Sequence, residues 1–151
     1  MNIPAVPGSY LIIGRLDKDI QLTSGPFLGQ DLLRGHYLYS GSACGPGGLY
    51  SRISRHLNPN TKKFWHFDHL KTGLCFEEII FTAGRISEEC DFIKIIQNMA
   101  GTSFQLPLFG ASDCRRKCPA HLARFPLSFT IGSVFRNLKD HGFDLNRLTL
   151  G

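Results

Sequence analysis

HYLYSGSACGPGGLYSRISRHL, residues 36–57, decides the fold class. It opens on an alternating run, His36, Tyr37, Leu38, Tyr39, which reads as a strand. Four glycines and a proline then fall between Gly41 and Gly48, so the chain must turn. Leu49, Ile53 and Leu57 recur every four residues and mark the apolar face of a short helix over 48–57. Arg52 and His56 are also four apart on that helix, beside the apolar stripe. A cation next to a titratable imidazole suits work on a phosphate. The same spacing fits a helix with a solvated basic flank.

Working outward, Ser9 to Leu16 is apolar and β-rich and reads as a strand, and Phe76 to Phe81 as a third. A weak strand is expected near Ile20 to Leu22, and a single helical turn or a loop over Lys62 to Leu70. Ser87 is placed to cap a second helix running to about Met99, with Phe92, Ile93, Ile96 and Met99 on its buried face. Residues 100–125 carry no period and read as a long loop, with a cysteine-containing stretch near 105–125. Pro126 to Ile131 is expected to be extended, and a last helix to cover 133–141 with Gly142 as its stop. The expectation is one small α/β domain over 1–151, a three-stranded mixed or antiparallel sheet flanked by helices.

The chain has 151 residues and an ordinary globular composition, 42% hydrophobic and 19% charged. Lys and Arg outnumber Asp and Glu by 17 to 12, which favours an anionic partner such as nucleic acid. No apolar run is of membrane-spanning length, and MNIPAVPGS has no basic-then-apolar signal pattern, so the expected location is the cytoplasm with no membrane partner. Five cysteines without a secretory signal argue against a disulfide framework. The Gly45–Gly48 loop lacks the Lys-Ser/Thr ending of a phosphate-binding loop, so no nucleotide cofactor is expected.

Gly8-Ser9-Tyr10, Tyr39-Ser40-Gly41, then Arg52 and Arg55-His56 together resemble the GIY-YIG endonucleases. Glu89-Cys90 resembles that family's metal-binding glutamate. Trp65-His66-Phe67-Asp68 and FGASDC, with Cys118 and His121, resemble its Uri branch of small stand-alone members. Several short motifs in the right order carry more weight than any one alone. Ser9 and Ser40 stand at positions that the pattern lets vary, and the three residues between Cys114 and Cys118 are a wider spacing than expected.

The resemblance implies a metal-dependent DNA endonuclease. One Mg2+ (or Mn2+) would be held by Glu89 and otherwise by water and phosphate, the sparse oxygen shell magnesium accepts. Helical geometry alone does not separate Glu89 from Glu88. Arg52 would grip the scissile phosphate through its charged fork. Tyr10 and Tyr39 would face the water and phosphate from adjacent strands and relay or accept a proton if their pKa were lowered; packing with a satisfied hydroxyl is the alternative. His56 would act as base or orient the water, or serve only as a structural hydrogen-bonding group. Gly41 would leave room for a ligand at the strand end. Arg55, Lys62, Lys63 and Arg15 are candidate DNA-phosphate contacts outside the reaction centre. Trp65 and Phe64 are candidates for base stacking, with core packing as the alternative for Trp65.

Cys114, Cys118 and His121 invite a zinc reading with Asp113 or His66 as fourth ligand. The spacing is not that of a standard finger and no complete set is evident, so tight zinc binding is not expected. Two rivals to the enzyme are a nucleic-acid-binding module with the same fold and little cleavage, and a zinc-supported adaptor. Binding alone does not require Tyr10, Tyr39, Arg52, His56 and Glu89 together.

Overall fold

The computed structural model describes residues 2–63, 65–84 and 88–150. The elements in chain order are β1 (Gly8–Leu16), β2 (Ile20–Gln21), β3 (Asp31–Leu32), β4 (Gly35–Ala43), α1 (Gly48–Leu57), β5 (Cys75–Ala83), α2 (Glu89–Ile96), β6 (Leu122–Phe125), α3 (Gly132–Asp140) and β7 (Asn146–Thr149). The main sheet has five strands in the order β6-β4-β1-β5-β7, all antiparallel, and β2 and β3 form a separate two-stranded ribbon. The α/β class holds, but the sheet is larger than the three strands expected. The added strands, LARF and NRLT, are short and carry charges, as edge strands do.

β1 lies at the centre and is covered on both faces, which is why its sequence is almost continuously apolar and does not alternate. Residue parity divides its contacts. Tyr10, Ile12 and Leu16 join Tyr37 and Tyr39 of β4 beneath Leu49 and Ile53 of α1. Leu11 and Ile13 join Leu38 beneath Phe92 and Ile96 of α2 and Val134 and Leu138 of α3. Leu49 and Ile53 are fully buried, worth roughly 1.5–3 kcal/mol each by transfer out of water. Gly48 begins α1 at φ +55, and a β-carbon there would lie 2.2 Å from the Val6 carbonyl oxygen. That oxygen accepts the Leu49 N–H at 2.8 Å, so the N-terminal lead-in is fastened to the helix start.

Several local expectations change. α2 covers Glu89–Ile96 and is shorter than the 3.6-residue period suggested. The Ser87 cap and Phe64 lie outside the described residues. The stretch 100–125 is not wholly loop, since it ends in β6. Pro126 to Ile131 turns and is not extended: the Phe129 N–H bonds back to Pro126 O at 2.9 Å. Lys62 to Leu70 contains a single 3-10 turn, His66–His69. Among the described residues no helix is long and apolar enough to cross a membrane.

Candidate functional site

β6 pairs only with His36 to Tyr39 of β4. β4 runs on past β6 through Gly41 and Ser42, and a cavity of about 490 Å³ opens there. It draws on both faces of the sheet. Arg52 comes from α1 on one side, Glu89 and Cys90 from α2 on the other, and the loop before β6 adds Asp113, Arg115 and Arg116. Tyr10, Tyr39 and Gly41 also line it. Of the residues proposed from the sequence, Tyr10, Tyr39, Gly41, Arg52 and Glu89 are therefore brought together.

Tyr10 and Tyr39 lie on adjacent strands with side chains on one face, where Tyr10 pairs with Gly41 and Tyr39 with Ile12. Both are almost fully buried and reach the cavity from below. Burial pushes both phenols well above their ordinary pKa, and the Arg52 guanidinium only partly opposes this. Neither tyrosine is thus an ionised base near neutral pH, and Arg52 alone does not produce the lowered pKa that accepting a proton would require. A β-carbon at Gly41 would lie 2.4 Å from the Tyr10 hydroxyl. Tyr10 fills the position a side chain at Gly41 would take, and Gly41 itself lines the cavity.

His56 does not line the cavity. It is fully buried behind Tyr10, with Nε2 3.0 Å from the Tyr10 hydroxyl. Burial holds its pKa down at about 3, despite the opposing pull of Asp68, so the ring is neutral. Asp68 Oδ1 lies 4.0 Å from Nδ1, beyond hydrogen-bond reach. His56 stands one side chain back from the cavity, behind Tyr10.

Arg52 donates from Nη1 to the Ser42 carbonyl at 2.9 Å, and its guanidinium lies 4.4 Å from the centre of the Trp65 ring. Trp65 is half-buried and forms a wall, not part of the core. Arg55 stacks on the same ring at 4.5 Å but is directed to the interior. It bonds both oxygens of Asp68 at 3.2 and 3.1 Å and the Lys62 carbonyl at 2.5 Å. It is an ion-pair partner of Asp68 and does not line the cavity. Arg15 also lies away from the cavity. It is paired with Asp17 and Glu77, and lies about 17 Å along β1 from Tyr10 at roughly 3.4 Å per residue. Lys62 and Lys63 are exposed and line a second hollow of about 380 Å³ with Arg55 and Trp65, so Trp65 borders both spaces.

Glu89 is separated from Glu88 by the tertiary structure. Glu88 lines a different hollow with Thr82 and His141. Burial raises the Glu89 carboxyl pKa; a hydrogen bond from Ser42 and the charge of Arg52 oppose this, while Asp113 adds to it. Two serines dock the start of α2 on the sheet. Ser40 Oγ donates to the Glu89 carbonyl at 2.8 Å, and the Glu88 N–H donates to Ser9 Oγ at 3.1 Å. These are the two serines at variable positions of the sequence pattern, and here they set where Glu89 stands. Ser42 was not legible as a site residue and Asp113 was read only as a candidate zinc ligand, because only the cavity brings them together with Glu89.

Beside the cavity, Cys90, Cys114, Cys118 and His121 converge, with one ligand atom from each all within 4.8 Å of one another. The fourth member is Cys90 of α2, not Asp113 or His66. His66 is engaged elsewhere: its Nδ1 accepts the Gly110 N–H at 2.7 Å and its ring packs on Phe27 and Phe109. All five cysteines are free thiols. No curated protein and no solved structure matches the chain. A family model does, across residues 9–141, and so the chain belongs to the family described as Domain of unknown function DUF123.

Proposed function

We propose that the protein is a divalent-metal-dependent endonuclease of the GIY-YIG type that hydrolyses phosphodiester bonds in DNA. The observation that carries this reading is the convergence of Tyr10, Tyr39, Arg52 and Glu89, from two strands and two helices, on one cavity at the sheet edge. The donor set suits Mg2+ or Mn2+. Glu89 and Asp113 are the two carboxylates lining the cavity, and the Asp113 charge disfavours ionisation of Glu89, which a bound cation would relieve. Glu89 would hold the ion, with Asp113 able to assist. When bound, such an ion supplies positive charge at the phosphate and its water.

Arg52 would clamp the scissile phosphate, with its guanidinium plane set by Trp65 and Ser42. The Tyr10 hydroxyl, held by its hydrogen bond with His56, would orient the water at the cavity. Lys62, Lys63, Arg115 and Arg116 would hold flanking phosphates without reading bases. The hollow formed by Trp65, Lys62 and Lys63 also favours a second reading, a DNA-binding module with little cleavage.

The test is incubation with plasmid, branched and single-stranded DNA, with and without Mg2+ or Mn2+, for the parent and Glu89→Gln. The nuclease reading expects metal-dependent cleavage that falls by at least about a hundredfold in the variant, with DNA binding retained. Binding without cleavage under every condition would establish the module instead. Gly41→Ala probes Tyr10. The added methyl must displace the Tyr10 hydroxyl from His56, and a shift on the order of 1 Å in a positioned group costs about a hundredfold in rate. Single-turnover cleavage at the parental rate by folded Gly41→Ala would remove Tyr10 from the mechanism.

A further inference from the structure

We propose that Cys90, Cys114, Cys118 and His121 form a structural Zn2+ site that fastens α2 to the loop preceding β6. The proposal does not depend on the nuclease reading. Its first support is geometric. A tetrahedral zinc with sulfur at about 2.3 Å and nitrogen at about 2.0–2.1 Å sets its ligands about 3.8 Å (S···S) and about 3.6 Å (S···N) apart. Cys90 Sγ lies 3.6 Å from Cys114 Sγ and 3.6 Å from His121 Nε2. Both separations are far longer than a disulfide bond and close to the edges of such a tetrahedron.

The backbone around the quartet is built to the same end. Lys117, between the two loop cysteines, adopts φ 58, a left-handed conformation that costs a non-glycine residue on the order of 1 kcal/mol. The turn it makes aims the backbone N–H groups of Cys118 and Arg116 at the Cys114 sulfur. Amides directed at a sulfur stabilise a thiolate. His121 is fixed by the ladder: its carbonyl accepts the Ser40 N–H at 2.8 Å and its N–H bonds Phe109 O at 2.7 Å. Its other ring nitrogen, Nδ1, faces Glu89 Oε2 at 3.8 Å, the carboxylate that commonly orients a metal-bound imidazole.

The donor set identifies the ion and its role. Three sulfurs and one imidazole suit zinc, and hard, oxygen-seeking Mg2+ would not choose them. With four protein ligands there is no open position for water, so the site is structural and not catalytic. Cys90, Cys118 and His121 are buried while Cys114 is half-buried, which leaves an entry path on one side. Sequence spacing argued against tight zinc binding because the fourth ligand lies on a helix 24 positions before Cys114. Cys90 and Glu89 are neighbours, so the zinc would also fix the helix turn that carries the cavity's glutamate.

The full chain, purified without chelator, should contain one equivalent of zinc. Exchange for Co2+ should give the intense visible bands of a tetrahedral ion and a near-ultraviolet thiolate-to-cobalt transition. Removing the metal should lower the melting temperature, and returning zinc should restore it. Cys114→Ser, at the most exposed ligand, should lose the equivalent on desalting. Cys75→Ser, an exposed thiol outside the quartet, should keep it. Purified parent protein with no zinc and no cobalt spectrum would overturn the proposal. So would a Cys90–Cys114 disulfide in the purified protein, or a folded Cys114→Ser that retains full zinc.

Discussion

Arg52→Ala is expected to slow single-turnover DNA cleavage by about a hundred- to a thousandfold, the usual loss when one preorganised charge is removed from a phosphoryl transition state. Water entering the vacated space cannot replace a guanidinium held against the Trp65 ring and the Ser42 carbonyl. Affinity for DNA should fall only a few-fold, because Lys62, Lys63, Arg115 and Arg116 remain near the site. The fold should survive. Alanine is the best helix former, and the lost stacking and hydrogen bond are worth about 1 kcal/mol each. Arg52→Lys keeps the charge but not the fork and should recover only part of the rate. Cleavage rate, DNA affinity and thermal melting would be measured on all three proteins. A folded Arg52→Ala that cuts at the parental rate would defeat the nuclease mechanism.

Asp68→Ala should produce the largest loss of stability of any single change near the site. The Asp68 side chain is fully buried and is bonded by Arg55 Nη1 at 3.2 and 3.1 Å, with Lys71 Nζ at 3.3 Å. It also accepts the Trp65 N–H at 2.9 Å. Removing the carboxylate leaves Lys71, itself buried, without its counter-charge. Breaking a buried pair from one side costs roughly 3–5 kcal/mol. In a domain of this size that lowers the melting temperature by on the order of 10 °C. Lys71 retains Thr61 Oγ1 at 2.7 Å and the Arg55 carbonyl at 3.1 Å, which moderates the loss. Arg55→Ala should destabilise for the same reason, so it is unsuitable as a surface control for Arg52. Melting curves for Asp68→Ala and Arg55→Ala that overlay the parent would show that this network contributes nothing.

The sequence by itself determined the local elements with strong patterns. The stretch 36–57 became strand, glycine turn and helix, because β-rich alternation, left-handed glycines and a four-residue apolar repeat are satisfied within a few residues. The same holds for β1 and β5. β6 and β7 were not legible. LARF and NRLT are too short and too charged to declare a strand, and their hydrogen bonds come from β4 and β5, far away in the chain.

The residue types of the site were legible, but their roles depended on through-space pairing. Arg52 and Arg55 lie three positions apart on one helix and stack on one tryptophan. Nothing in their spacing tells which meets the cavity. The tertiary structure decided it by burying Asp68 beneath Arg55 and opening the cavity beside Arg52. His56 had the spacing of a catalytic base, but helix packing placed it wholly behind Tyr10, where desolvation keeps it neutral. Cys90 drew notice in the sequence only as the neighbour of Glu89 in the Glu-Cys pair, not as a zinc ligand. Only the docking of α2 by Ser9 and Ser40 brings its sulfur to Cys114, Cys118 and His121, because ligand sets and ion pairs are fixed by distance in space and not by distance along the chain.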